Sequence, residues 1–203
     1  MAHRPTFHPI MAIIDLTTAA RVKALLSIDS DDTSPDAVLA LLVTQVSARI
    51  ERYIDRPVEV AARTEYHDVR YDTLGYQLAA WPVTSVASIK NSTTFAWASA
   101  TAKVDGTDYT LDLSTGILRQ ITAWQAGPSA LQVVYTAGIA ANTAAVPPDL
   151  ADACEKQCAE EWMRRGAMMR TSSSARGASE STSAVQLLPV VQEILRPWRR
   201  IAL

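Results

Sequence analysis

SPDAVLALLVTQVSARIERYID, residues 34–55, has the spacing of one long amphipathic helix. Leu39, Leu42, Val46, Ile50 and Tyr53 recur at intervals of three and four, which places them on one apolar stripe. Ser34 is a favourable N-cap, Pro35 follows where a missing N–H costs nothing, and Asp36 suits the positive end of the helix dipole. Pro57 predicts the stop, because the residue before a proline is biased away from helical geometry. Such a helix is roughly 30 Å long, about the width of a small domain. Residues 37–43 are apolar nearly all round, so this half has more than one side to bury. Either the domain packs around it or it also faces a neighbouring subunit. Val38, Leu41 and Val43 are the candidate subunit-interface residues.

Working outward, the 203 residues allow one domain with an insertion, or two small ones. A net charge of −2 gives no global attraction to nucleic acid or acidic membranes. The two cysteines, Cys154 and Cys158, make no disulfide framework and fit a reducing compartment. No apolar run approaches the ~18 residues of a membrane span, and the patch at 10–14 is too short for a signal-peptide core. A protein made in a cytoplasm, or used in something assembled there, is expected.

Residues 1–14 read as an extended N-terminal arm, with Ile10, Met11, Ile13 and Ile14 available to dock on a partner. Thr17 or Thr18 can cap a short helix that buries Val22, Leu25 and Leu26. The acidic turn Asp29, Asp31, Asp32 lacks the glycine and distal glutamate of a calcium loop and reads as a solvated, helix-initiating turn. From 64 to 138 the texture changes to short β-branched and aromatic runs broken by Gly, Asn, Asp and Pro. Candidate strands are 62–71, 74–78, 86–90, 109–113, 117–121 and 131–136. They predict a small antiparallel sandwich or open barrel of roughly five to seven strands. Phe95 and Trp97 sit on an uncharged loop as possible contacts. Helical spacing returns after Pro147-Pro148-Asp149, with Leu150, Cys154, Cys158 and Trp162 four apart.

The fold class expected is therefore α+β. Residues 15–57 and 146–169 form a helical bundle, and 58–145 form an inserted β domain. Residues 170–184 are a Ser-rich flexible tether, and 185–203 a C-terminal helical segment that can reach a neighbour. From Met163 onward there are seven arginines against two glutamates, a bias that suits DNA phosphates or an acidic protein surface. No Gly-rich phosphate loop, nucleophile elbow, zinc-binding helix or Walker-type lysine is present, and no cofactor or metal is expected. Buried small hydrophobes are the reading for the two cysteines, since metal ligands and a nearby histidine are lacking in sequence. The chain does not read as an enzyme.

Taken together, several segments resemble the head–tail connector (adaptor) proteins of long-tailed bacteriophages. They are Ile50-Glu51-Arg52-Tyr53 with Arg56-Pro57, Trp81-Pro82-Val83-Thr84-Ser85-Val86, Tyr109 through Gly116-Ile117-Leu118, Val133 to Gly138, Val146-Pro147-Pro148-Asp149-Leu150, and Leu195-Arg196-Pro197-Trp198-Arg199. The resemblance implies a virion protein at the head–tail neck, assembled in the host bacterial cytoplasm. It implies a homo-oligomeric ring, most often of twelve subunits, beneath the portal protein. Such a ring is an adaptor for a downstream stopper or tail protein and a channel for genomic double-stranded DNA, without sequence recognition. The C-terminal segment then meets the portal, through Leu188, Val191, Leu195, Arg196, Trp198, Arg199 and Arg200. The alternatives are another neck or tail-completion protein, a stopper or tail terminator, or a sequence-independent DNA-binding protein.

Overall fold

The computed structural model describes residues 14–71, 75–168 and 186–200. The expected arm (apart from Ile14), the Ser-rich tether and the start of the second expected strand lie outside them. The architecture is α+β, with helices α1 (Ala19–Leu25), α2 (Asp36–Ile54), α3 (Pro148–Met168) and α4 (Pro189–Leu195). Between α2 and α3 run six strands, β1 (Ala61–Val69), β2 (Gly75–Gln77), β3 (Val83–Asn91), β4 (Tyr109–Asp112), β5 (Ile117–Gln120) and β6 (Gly127–Ala137).

The long helix forms as its spacing predicts, with one difference at its start. Asp36 is its first residue and Pro35 the N-cap, which has no side chain to offer; the Pro35 carbonyl accepts from the amides of Val38 and Leu39. Ser34 is not the cap. Its amide and hydroxyl both donate to Asp32 Oδ1, at 3.0 and 2.5 Å, closing a tight turn before the helix. The far end stops as expected, with Asp55 left-handed at φ 53° and ψ 40°. The buried stripe is Leu39, Val43, Val46, Ile50 and Ile54, while Leu42 and Tyr53 are half-buried. Val43 therefore points into the chain's own core, and its assignment to a subunit interface is corrected. At 100° per residue this stripe and the expected one through Leu42 and Tyr53 are equally narrow, so the period alone does not choose between them.

α1 begins after Thr18, whose hydroxyl accepts from the Arg21 amide. The acidic turn that follows is not simply solvated. Lys23 is buried at 6 % exposure, and its ammonium donates to the carbonyls of Ser30 and Asp32 and to Asp36 Oδ1, at 3.1, 2.7 and 2.9 Å. The lysine ammonium thus ties α1, the turn and the start of α2 together. A buried charge needs such partners to be tolerated.

One hydrophobic core is helical. Leu16, Val22 and the α2 stripe pack with Leu150, Cys154 and Cys158 of α3 and with Leu187, Val191 and Leu195 around α4. The second is β. The strands form two antiparallel three-stranded sheets, ordered β1-β6-β3 and β2-β5-β4. Leu131, Val133, Tyr135 and Ala137 alternate inward along β6 and meet Tyr76, Tyr109 and Leu118 of the smaller sheet in one cluster. The β4–β5 hairpin is closed by Asp112, whose Oδ1 accepts from the Ser114 amide and hydroxyl at 2.9 and 2.7 Å. Those hydrogen bonds, the one from the Ser114 side chain foremost, hold its carboxyl down at about 2.

The chain crosses between the cores twice, at residues 56–60 and 138–140. The crossings are joined by backbone hydrogen bonds from Ile139 and Ala140 to Val58 and from Val60 to Ala140, at 2.8, 2.9 and 2.9 Å. Gly138 has φ +152°, and a Cβ there would run into the Glu59 carbonyl. Nearby, Glu65 is buried beneath the sheet. It accepts from the Tyr135 hydroxyl and, at 3.1 Å, from the Ala79 amide, and it faces His67 Nε2 at 3.2 Å. Burial alone would raise its carboxyl, but the contacts with His67 and Tyr135 and the Ala79 amide outweigh that and bring it below its ordinary value.

Gly138→Ala is expected to destabilise the fold by more than about 3 kcal/mol, because rigid backbone rather than a flexible side chain would have to move. Lys23→Ala is expected to cost ~1–3 kcal/mol, since it strands two carbonyls and a carboxylate. Urea unfolding followed by circular dichroism reads both. Glu65, with a folded pKa below its unfolded one, contributes stability that is present above about pH 4.5 and lost as pH falls through the folded value. Glu65→Gln should flatten the acid limb of the stability–pH curve; an unchanged limb would show that other carboxylates carry it.

Candidate functional site

Three surfaces stand out among the described residues. The first lies where the N-terminal half of α2 meets α3. A groove of about 530 Å³ is lined by Ile28, Asp32, Ser34, Pro35, Val38, Trp162 and Arg165. Lys23 builds one wall by holding the turn that carries Asp32 and Ser34. Arg165, whose guanidinium lies over the Trp162 ring at 6.0 Å, also lines the groove. Val38 lines the groove and is half-buried. One turn further along α2, Leu41 is 59 % exposed, and Met163 of α3 is 60 % exposed. Of the residues the sequence singled out on this helix, Val38 and Leu41 face outward and Val43 does not.

The second surface is the C-terminal segment, which packs on its own chain. Val191 and Leu195 are fully buried in the helical core, and Leu188 is half-buried against it. Gln157, itself buried, holds the start of the segment. Its Oε1 accepts from the Leu188 amide at 2.9 Å, and its Nε2 donates to Glu161, which also pairs with Arg49. Val191 and Leu195 are therefore not free to carry a portal contact in this arrangement, a correction to the sequence reading. Its cause is a polar anchor on α3 that the hydrophobic spacing of residues 187–195 cannot reveal.

The arginines at the end of the chain also find partners within it. Arg199 lies over Tyr53 at 5.0 Å, and Arg200 over Trp81 at 5.9 Å. The Arg200 amide donates to the Ile54 carbonyl at 2.9 Å, closing the end of α2. Arg56 covers the same Trp81 at 4.3 Å and donates to its carbonyl; burial pulls its guanidinium down to about 10, still cationic at neutral pH. Arg196 is exposed and pairs with the equally exposed Glu193 at 3.7 Å. Trp198 is half-buried.

The third surface is aromatic and lies on the β domain. Trp97 packs on Tyr66 of β1 at 5.6 Å and against Phe95 edge-on at 6.3 Å. Lys90 of β3 anchors the loop by donating to the Trp97 carbonyl at 2.7 Å. Phe95 is 54 % exposed and left-handed at φ 59°, a conformation that costs a non-glycine residue ~1–2 kcal/mol. The sequence located Phe95 and Trp97. It gave no sign that Tyr66, thirty-one positions before Trp97, would complete the cluster.

The cysteines are buried in the helical core, with sulfurs 4.0 Å apart. The Cys154 contact and then burial push the Cys158 thiol far up, which keeps it protonated and poorly nucleophilic. His67 belongs to the β core with Glu65, away from both. Among the described residues, no group of three or more His, Cys, Asp or Glu is placed to hold a metal, and no helix is long and apolar enough to cross a membrane.

The whole arrangement has counterparts among solved structures. The chain is similar to a protein in the neck of an empty gene transfer agent particle reconstructed with C6 symmetry, at 17% identity and a TM-score of 0.62, over 97% of this chain and 96% of that one. It is also similar to one in the neck of the native particle reconstructed with C12 symmetry, at 16% identity and a TM-score of 0.57, over 98% and 97%. At these identities the likeness is one of fold. No curated protein matches in sequence. Residues 15–201 match the head completion proteins, a span that takes in both cores, the groove and the C-terminal arginines, and the chain belongs to the head completion protein family.

Proposed function

We propose that the protein is a subunit of an adaptor ring at the head–tail neck of a phage-like particle. The ring joins the portal to the next neck or tail component and encloses part of the DNA channel. The observation that carries this reading is the pair of large apolar side chains exposed on the two long helices, Leu41 of α2 and Met163 of α3, outside the helical core. Large apolar residues left outside a finished core suit a protein–protein contact. Family membership supports the neck setting, and the C6 and C12 symmetries of the similar gene transfer agent necks support a closed ring, with twelve copies as the expected number. Closed rings form when one face of a subunit meets a different face of the next. The stopper or tail-terminator alternative predicts a more purely β chain and is at odds with a helical core of this size.

In this reading the outer face of α2 meets a neighbouring subunit. The C-terminal segment meets the portal through its exposed edge, chiefly Arg196, with Trp198 and the stacked Arg199 and Arg200 shaping that edge. DNA passes through the ring and is not read. The protein is structural and performs no catalysis.

Leu41→Asp is expected to leave folding within about 0.5 kcal/mol of the parent, because the side chain is outside the core. When the chain is mixed with its portal and imaged by electron microscopy, the same change should reduce ring occupancy at least about tenfold, equivalent to ~1.4 kcal/mol. Normal rings from Leu41→Asp would overturn the interface. Arg196→Glu should keep the melting temperature and weaken portal binding, with more loss at low salt than at high salt. Equal binding by parent and variant at low salt would remove Arg196 from the contact.

A further inference from the structure

The chain passes between the two cores at residues 56–60 and 138–140, and its C-terminal stretch adds a third junction that is not covalent. The body of that stretch belongs to the helical core, where Leu187, Val191 and Leu195 are buried. Beyond Leu195 the contacts change. Residues Arg196–Trp198 form a short 3-10 turn, and Arg199 leaves it in extended backbone at φ −67° and ψ 142°. Arg199 then covers Tyr53 in the last turn of α2 at 5.0 Å. The Arg200 amide donates to the Ile54 carbonyl at 2.9 Å, and its guanidinium lies over Trp81, just before β3, at 5.9 Å.

Trp81 is itself tied to both crossings. Arg56, at the end of α2, covers its ring and donates to its carbonyl. The carbonyl of the next residue, Pro82, accepts from the Gly138 amide at 3.1 Å. Gly138 opens the second crossing, whose Ile139 and Ala140 amides donate to Val58 of the first. The Val58 amide in turn donates to Glu51 Oε1 of α2 at 3.0 Å. A continuous path runs from Arg200 through Trp81, Pro82 and Gly138 into the paired crossings. Among the described residues no helix packs extensively on a strand, so these few contacts set how the cores sit.

The two parts of the C-terminal stretch are held with different firmness. Apolar burial fixes residues 187–195. Residues 199–200 are held by one backbone hydrogen bond and two guanidinium–ring contacts, each modest by itself. Arg199 is exposed and Trp81 half-buried. The end can therefore detach while α4 stays in place. Two adjacent crossings let one core rotate about the line that joins them, and a third contact off that line stops the rotation.

We infer that Arg199 and Arg200 form a releasable latch that fixes the β domain against the helical core. Docked, they hold the waist closed through Tyr53, Ile54 and Trp81; released, they free the β domain to turn about the crossings. Arg196, assigned above to the portal, begins the same turn, so a partner that grips it can work the latch. Only that last step rests on the ring reading; the latch itself is tested on the free chain.

Arg199→Ala is combined with Arg200→Pro, which removes the guanidinium and the amide donor together while the extended backbone of residue 199 suits a following proline. Hydrogen exchange is followed residue by residue in the full chain. Exchange at the amides of Val60, Gly138, Ile139 and Ala140 should accelerate at least about tenfold, while that of Gln192 in α4 and of Val133 and Tyr135 in β6 stays within about twofold of the parent. Unchanged exchange at the waist would overturn the latch. So would equal acceleration everywhere, which would make these arginines supports of the whole fold. Spin labels at Leu25→Cys on α1 and Val104→Cys on the β domain, both exposed, provide a second reading, since Cys154 and Cys158 are buried. The distribution of distances between the labels should become about twofold broader in the double variant. An identical distribution would also overturn the latch.

Discussion

The double crossing between the cores is the constraint on which the rest of the structure depends. Two strands of chain, 56–60 and 138–140, pass side by side and exchange backbone hydrogen bonds, so neither core can shift without breaking them. Gly138 permits the close approach because it has no side chain. Around this waist the aromatic and cationic groups collect. Trp81 from the β side carries Arg56 from the end of α2 and Arg200 from the end of the chain. A planar guanidinium is well suited to this role, since it stacks while keeping its donors free for carbonyls.

Leu41 and Met163 are exposed on the helical side, which also carries the groove beside the Lys23 turn, and the proposed subunit contact rests on these residues. The C-terminal segment acts differently. Val191 and Leu195 complete the helical core, while Val190, Glu193 and Arg196 face outward. The same segment thus closes the fold and presents Arg196.

The helical stripe, the six strands and the Pro-Pro-Asp start of α3 were legible in the sequence because they rest on local periods and local turn chemistry. The resemblance to phage neck adaptors was legible too, and it agrees with membership of the head completion proteins. Less legible were Val43, whose side depends on which of two nearly equivalent stripes is buried, and Ser34, whose hydroxyl found Asp32 before it could find the helix. Local competition of this kind among Ser and Asp side chains decides helix starts within a residue or two.

What the sequence by itself determined is the set of elements and their order, because 3.6- and 2-residue periods and turn residues act over a few positions. What only the tertiary structure decided is how distant residues pair: Lys23 inside the acidic turn, Glu65 with Tyr135 and His67, Tyr66 with Trp97, and the C-terminal helix on Gln157 of its own chain. The physical reason is that a buried polar or aromatic group is specified by whatever partner the fold brings within a few ångströms. That partner can lie anywhere in the sequence.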